Sequence, residues 1–179
     1  MLTLWNMKSV LFVCLGNICR SPMAEFIFKK MVRDAGFTIW GESVAVEKGA
    51  EEKPEIGAKK VFVVDSAAVS YEEEGNDIYP PAKRTLAGHG IPFARHRAHR
   101  VSDAEASEYD VIVTMDSSNR RLLSRILGPE NMSKVHSMME YAGSDSDVSD
   151  PWYTGDFETT YRDIFEGCAG LLEYLTKEE

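Results

Sequence analysis

The sequence predicts an α/β domain with a parallel sheet between two layers of helix, and three observations predict it. Short, almost wholly apolar runs rich in β-branched residues recur along the chain, as strands buried on both faces require. Helix-period segments alternate with these runs, so successive strands are joined by right-handed crossovers and lie parallel. Finally, 179 residues with 44% hydrophobic content suit one core, so a single domain over 1–179 is expected.

The first strand is the Ser-Val-Leu-Phe-Val run at 9–13, which makes Met7 a candidate original start. A loop headed by Cys14 follows. Ser21 then reads as a helix N-cap with Pro22 at the first helical position, the helix continues through 23–32, and Gly36 stops it. Residues 40–59, which include Glu47-Lys48-Gly49-Ala50-Glu51-Glu52-Lys53-Pro54, are charged, aperiodic and longer than most loops in a compact domain. They read as an insertion. A second strand is expected at 60–64, a third at 110–115 and a weaker fourth at 135–138, with helices at 82–87, 118–127 and 159–176. The expected architecture is therefore a three-layer, four-stranded parallel sheet. Ligand sites in such sheets lie beyond the carboxyl ends of the strands where the winding reverses, which is where the Cys14 loop falls. The acidic run Glu72-Glu73-Glu74 reads as a solvated face.

Composition narrows the function. A formal charge of −9 argues against a nucleic-acid surface, which needs a basic face, so any phosphate must be held by a local site. No apolar run approaches the roughly 20 residues that span a bilayer, and the opening Met1-Leu2-Thr3-Leu4-Trp5-Asn6 lacks the marks of a signal peptide. No membrane partner is expected. Three cysteines are an odd number, too few for a disulfide framework, and none forms a Cys-x-x-Cys pair, which fits a reducing cytoplasm. The four histidines, His89, His96, His99 and His136, show no recognised metal-ligand spacing, so no metal site is expected. His96 and His99 sit among Arg95, Arg97 and Arg100, a basic stretch that would meet a phosphopeptide or lie in solvent.

The chemistry concentrates in Cys14-Leu15-Gly16-Asn17-Ile18-Cys19-Arg20-Ser21, where five residues separate a cysteine from an arginine between a strand and a helix N-terminus. The N–H groups of residues 15–20 can curl inward as a nest, with the helix dipole behind them, and bind a tetrahedral dianion. That positive field favours the thiolate of Cys14, the attacking species, which would stand in line with a bound phosphorus. Arg20 supplies a planar cationic fork for two phosphate oxygens. Gly16 and Asn17 suit left-handed turns. A cysteine ending an apolar strand can equally be an inert buried hydrophobe. Strand before, helix after, the Ser-Pro cap and the arginine spacing together favour the chemical reading.

This loop, with Pro22, resembles the signature of the low-molecular-weight protein tyrosine phosphatases. Asp65-Ser66-Ala67-Ala68, Tyr79-Pro80-Pro81-Ala82, Met115-Asp116-Ser117-Ser118-Asn119 and Asp150-Pro151-Trp152-Tyr153 resemble further landmarks of that family, so all but 40–59 is covered. The resemblance implies hydrolysis of a phosphotyrosine protein or peptide through a phosphocysteine on Cys14, without a cofactor. It implies that Asp150 protonates the leaving oxygen and later activates water; from the residues alone, Asp before Pro is a turn opener. Ser21 resembles the hydroxyl that steadies the thiolate, Asn17 the residue that locks the loop, and Trp152 and Tyr153 the aromatic wall of the substrate pocket, with Tyr79 contributing from the facing loop. Cys19 is either packing beneath the loop or a second thiol that traps oxidised Cys14 as a disulfide. Arsenate reduction would need a relay of further cysteines near the second helix, and none is there. Phosphoarginine hydrolysis goes with threonine where this chain has Ile18. A catalytically dead phosphate-binding module would lack Cys14, Arg20 or Asp150.

Overall fold

The computed structural model describes residues 7–42 and 60–177. Of the insertion expected at 40–59, residues 43–59 lie outside these. The described elements are β1 (Met7–Cys14), α1 (Arg20–Asp34), β2 (Thr38–Ile39), β3 (Val61–Ala68), α2 (Pro80–Gly88), α3 (Asp103–Ala106), β4 (Val111–Thr114), α4 (Ser117–Leu123), α5 (Pro129–Met132), β5 (Val135–Ser137), α6 (Pro151–Thr154) and α7 (Phe157–Lys177). The strands form one parallel sheet in the order β2-β3-β1-β4-β5.

The sheet has five strands where four are expected. The extra one, β2, is a two-residue edge strand held by backbone alone: Thr38 N–H donates to Lys60 O at 3.3 Å and Trp40 N–H to Phe62 O at 2.8 Å. Two residues carry no readable period. The second expected strand is longer than its apolar run, because β3 continues through Asp65 and Ser66 to Ala68, paired with β1 as far as Cys14.

β1 shows why the strands read as continuously apolar. Val10, Phe12 and Cys14 enter the core beneath α1, α2 and α7, whereas Leu11 and Val13 enter the core beneath α3, α4 and α5. Cys14 thus shares the face of α1. With β3 on one side of β1 and β4 on the other, the winding reverses at the carboxyl end of β1.

The start of α1 differs from expectation. Cys19, not Ser21, is the N-cap residue, and it makes no side-chain capping bond. Pro22 falls in the third helical position, still among the first four N–H groups that lack an intrahelical acceptor. Ser21 is turned inward to other partners, described below. At the other end Gly36 (φ +83°) closes the helix as expected, its N–H on Arg33 O at 2.9 Å. α4 ends at Leu123 rather than 127.

The long α7 fixes the approach to the site. A Cβ at Gly170 would run into the Tyr141 carbonyl, so only glycine lets the helix close on residues 138–142. Buried Thr160 then donates to Ser149 O at 3.0 Å, anchoring the residue before Asp150. Among the described residues no helix is long and apolar enough to cross a membrane.

Candidate active site

The loop after β1 is folded by its own polar groups. Asn17 has φ +58°, the left-handed region, which costs an ordinary residue roughly 1–2 kcal/mol and must be held by its surroundings. Four contacts hold it: Nδ2 donates to Ser21 Oγ at 2.8 Å and Ser66 Oγ at 2.9 Å, His99 N–H donates to Oδ1 at 3.3 Å, and His96 Nε2 lies 2.8 Å from its carbonyl. Ser66 in turn donates to buried Glu25 at 2.6 Å, and Lys29 closes the chain on Glu25 at 2.8 Å. The Asn17 N–H donates to Cys14 Sγ at 3.3 Å, and Ser21 Oγ lies 3.1 Å from the same sulfur. Ser21 Oγ accepts from Asn17, and its own proton has two acceptors in reach, the Cys14 sulfur at 3.1 Å and the Ala67 carbonyl at 3.4 Å.

Several loop carbonyls are used, whereas of the amides only that of Asn17 finds an acceptor among the described residues. Leu15 O accepts from Ser70 N–H at 3.1 Å and Ile18 O from Tyr79 N–H at 2.8 Å. Among the described residues, the N–H groups of Leu15, Gly16, Ile18 and Cys19 find no protein acceptor. These four residues line a cavity of about 150 Å³ together with Cys14, Arg20, Glu72, Glu73, Asp150, Trp152 and Tyr153. Four uncommitted donors at the mouth of a fifteen-residue helix make an anion cradle.

Arg20 forms the charged part of the floor. It is 3% exposed, with Nη1 donating to Asp116 Oδ2 at 2.7 Å and Val148 O at 3.0 Å, and Nη2 to Asp150 Oδ2 at 3.2 Å. Burial works against its charge, but Cys14, Asp150 and Asp116 outweigh that and hold the guanidinium above its ordinary value. Asp116 is fixed in turn, since its Oδ1 accepts from Asn119 N–H at 2.6 Å and caps α4. Cys19 is buried, and burial first, then the nearby charges of Cys14 and Asp150, push its thiol up to about 12. All three cysteines are free.

Most of the expected residues meet here, with differences. Asp150 is the N-cap of α6 through Trp152 N–H at 3.1 Å, and its other oxygen faces Arg20, so the turn-opening geometry and the site position coexist. Gly16 is not left-handed. Its role is steric, since a Cβ there would stand 3.0 Å from Glu73 Cγ. Tyr79 does not line the cavity; it backs Trp152, ring centroids 5.2 Å apart, and packs on Ile18 and Cys19. Part of the basic stretch braces the loop, since His96 and His99 support Asn17 and Arg100 donates to Val69 O, while Arg95 and Arg97 are exposed. Glu72 and Glu73, expected as a solvated face, are at the cavity wall. Sequence reasoning assigned no role to Asp116, Ser66 or Glu25. Their signal was polarity at the end of an otherwise apolar strand, or inside a buried helix face.

A strand, an anion cradle and a helix with a thiol at the centre define an α/β protein built to hold a tetrahedral oxyanion against a cysteine. Relatives show the family to which the chain belongs. The model of the family described as low molecular weight phosphotyrosine protein phosphatase matches residues 9–56 and 41–179. The chain is 37% identical over 175 residues to the low molecular weight protein-tyrosine-phosphatase YfkJ of Bacillus subtilis, covering 97% of this chain and 99% of that one. The crystal structure of YfkJ superposes with a TM-score of 0.78 over 97% of each chain. The human low molecular weight phosphotyrosine protein phosphatase is 35% identical, covering 93% of this chain and 94% of that protein. This chain belongs to the low molecular weight phosphotyrosine protein phosphatase family.

Proposed function

We propose that the protein hydrolyses phosphotyrosine in proteins or peptides, with Cys14 as nucleophile, Arg20 and the loop amides holding phosphate, and Asp150 as general acid and base. The observation that carries this reading is that Cys14, Arg20 and Asp150, far apart in sequence, line one cavity with uncommitted loop N–H donors. The Cys14 thiolate, receiving hydrogen bonds from Asn17 N–H and Ser21, attacks phosphorus as the P–O bond to the phenolic oxygen breaks. Asp150 gives that oxygen its proton. The arriving dianion competes with Asp150 for Arg20 Nη2, which would release the carboxyl to turn to the leaving oxygen. Asp116 and Val148 O keep Nη1 in place meanwhile. Water, deprotonated by Asp150, then attacks phosphocysteine and returns the thiolate. No step calls on a cofactor.

Ile18, Trp152 and Tyr153 give the cavity apolar surface for an aryl ring. We read the chain as a single domain working in a reducing cytoplasm, supported by its free cysteines. Single-turnover rates on matched phosphotyrosine, phosphoserine and phosphoarginine peptides test the substrate class. Phosphotyrosine should be fastest by a wide margin; phosphoarginine in first place would overturn the reading.

Cys19 is proposed as the resolving thiol: its thiolate attacks the sulfenic sulfur that peroxide forms on Cys14, the S–O bond breaks, hydroxide leaves and takes up the proton the thiol gave to solvent, and a disulfide protects the sulfur. With its thiol held near 12, the reactive fraction at neutral pH is small and grows about tenfold per pH unit below that value. Peroxide-treated enzyme should therefore crosslink Cys14 to Cys19 faster as pH rises, read by mass spectrometry. Cys19→Ser should make inactivation largely irreversible, and equal recovery in that variant would refute the role.

A further inference from the structure

Two carboxylates stand in the wall of a cavity otherwise made for an anion. Glu72 and Glu73 line it beside Gly16, and among the described residues neither meets a cation. Among the described residues, Glu73 Oε2 accepts only from the neutral Asn76 Nδ2, at 2.7 Å, so no described cation compensates its charge. That charge reaches the loop, where Glu73 is among the groups that push the Cys19 thiol up. Arg20, the cation of the floor, is already matched by Asp116 and Asp150.

The backbone that carries these carboxylates is held in place. The turn that carries them is pinned to the 98–100 segment by Gly75 N–H on Ala98 O at 2.7 Å, Ala98 N–H on Asn76 O at 2.8 Å and Arg100 N–H on Glu74 Oε2 at 3.1 Å. Arg100 also lies over the Tyr71 ring, 4.7 Å from its centroid. The stem of Glu73 rests over Gly16, where a side chain would displace it. A phosphate dianion entering here meets like charge on one side of its own cradle, which costs binding unless the substrate brings positive charge to that wall.

We propose that Glu72 and Glu73 select substrates whose phosphotyrosine is flanked by lysine or arginine. This rests on the phosphotyrosine reading above and adds to it the chemistry of the neighbouring residues. The phosphotyrosine occupies the floor, and the adjacent cationic side chain pairs with the carboxylates at the rim. Exposed pairs of this kind are worth about 2–5-fold each, so the two together should separate basic-flanked from acidic-flanked peptides by roughly 10-fold.

The test uses three phosphotyrosine peptides that differ only in flanking Arg, Gln or Glu. Specificity constants are measured at low and high salt for the wild type, a Glu72→Gln/Glu73→Gln double variant and Glu72→Lys. The wild type should rank Arg over Gln over Glu, with the spread shrinking at high salt as screening shortens to a few ångströms. The double variant should flatten the ranking, and Glu72→Lys should raise the Glu-flanked peptide relative to the Arg-flanked one. Equal rates on all three peptides, or a ranking that survives in the double variant, would overturn the proposal. Failure of the wild type on the Gln-flanked peptide would instead strike the phosphotyrosine reading itself, so the two failures are distinct.

Discussion

Asn17 beneath the floor of the cavity is fully buried and has a partner for its amide, its carbonyl and both ends of its side chain, whereas Trp152 and Tyr153 in the facing wall are 57% and 79% exposed. The floor is held from several sides: Ser66 from β3, Glu25 from α1, His96 and His99 from the segment before α3, and Asp116 from the N-cap of α4. The wall hangs on the short α6, capped by Asp150 and backed by Tyr79. Groups that must meet a reacting phosphorus within a fraction of an ångström are placed where nothing can shift. Groups that meet varied partner chains are placed where side chains can adapt.

Substitutions in the two regions should therefore differ in kind. The largest effect belongs to Cys14→Ser, which should lower turnover by roughly 10⁴–10⁶-fold, the scale expected on losing a nucleophile, while inorganic phosphate still binds to the intact cradle. Residual activity near wild type would remove the thiol from the account. Next is Asp150→Asn, at the joint between floor and wall, which keeps the α6 cap but has no proton to give. It should slow phenyl phosphate by about 10²–10⁴-fold and an activated nitrophenyl ester far less, because a poor leaving group needs the proton most. A uniform loss across leaving groups would return Asp150 to a capping role.

A smaller but sharper effect is expected of the loop's lock. Asn17→Ala puts a side chain with no local hydrogen bond at φ +58° and strips two buried hydroxyls of their donor, so it should cost about 2–4 kcal/mol of stability in denaturant unfolding. Asn17→Gly relieves the backbone term alone and should recover about 1 kcal/mol of that. If Ala and Gly behaved alike, strain at this residue would not matter. The smallest effect belongs to the wall: Trp152→Ala should raise KM for aryl substrates about 2–5-fold with kcat nearly kept, the worth of one exposed aromatic contact.

The same contrast governs what the sequence made legible. Cys14, the five-residue spacing to Arg20 and the strand–loop–helix context are local, so they could be read along the chain. The groups that hold them could not, because Asp116 reaches Arg20 across 96 residues and Ser66 reaches Asn17 across 49. Ser21 had an obvious local use as a cap, but buried partners outbid it and α1 begins without a side-chain cap. β2 escaped notice because two residues paired only through their backbone leave no pattern. Glu72 and Glu73 read as solvated, and they are near solvent; only the fold shows that a cavity opens beside them.

The central claim is that phosphoryl transfer passes through the sulfur of Cys14, and trapping the intermediate tests it most directly. Enzyme mixed with an activated nitrophenyl phosphate, whose leaving group hardly needs the Asp150 proton, and quenched during the first turnover is digested and mapped by mass spectrometry, for the wild type and for Asp150→Asn, in which hydrolysis of the intermediate should be slowed while its formation is largely kept. A phosphoryl group on Cys14, more abundant in the variant and lost with the return of free thiol, is the predicted result. Turnover with the phosphoryl group on another residue, or with none on Cys14 at any time in either protein, would contradict the account.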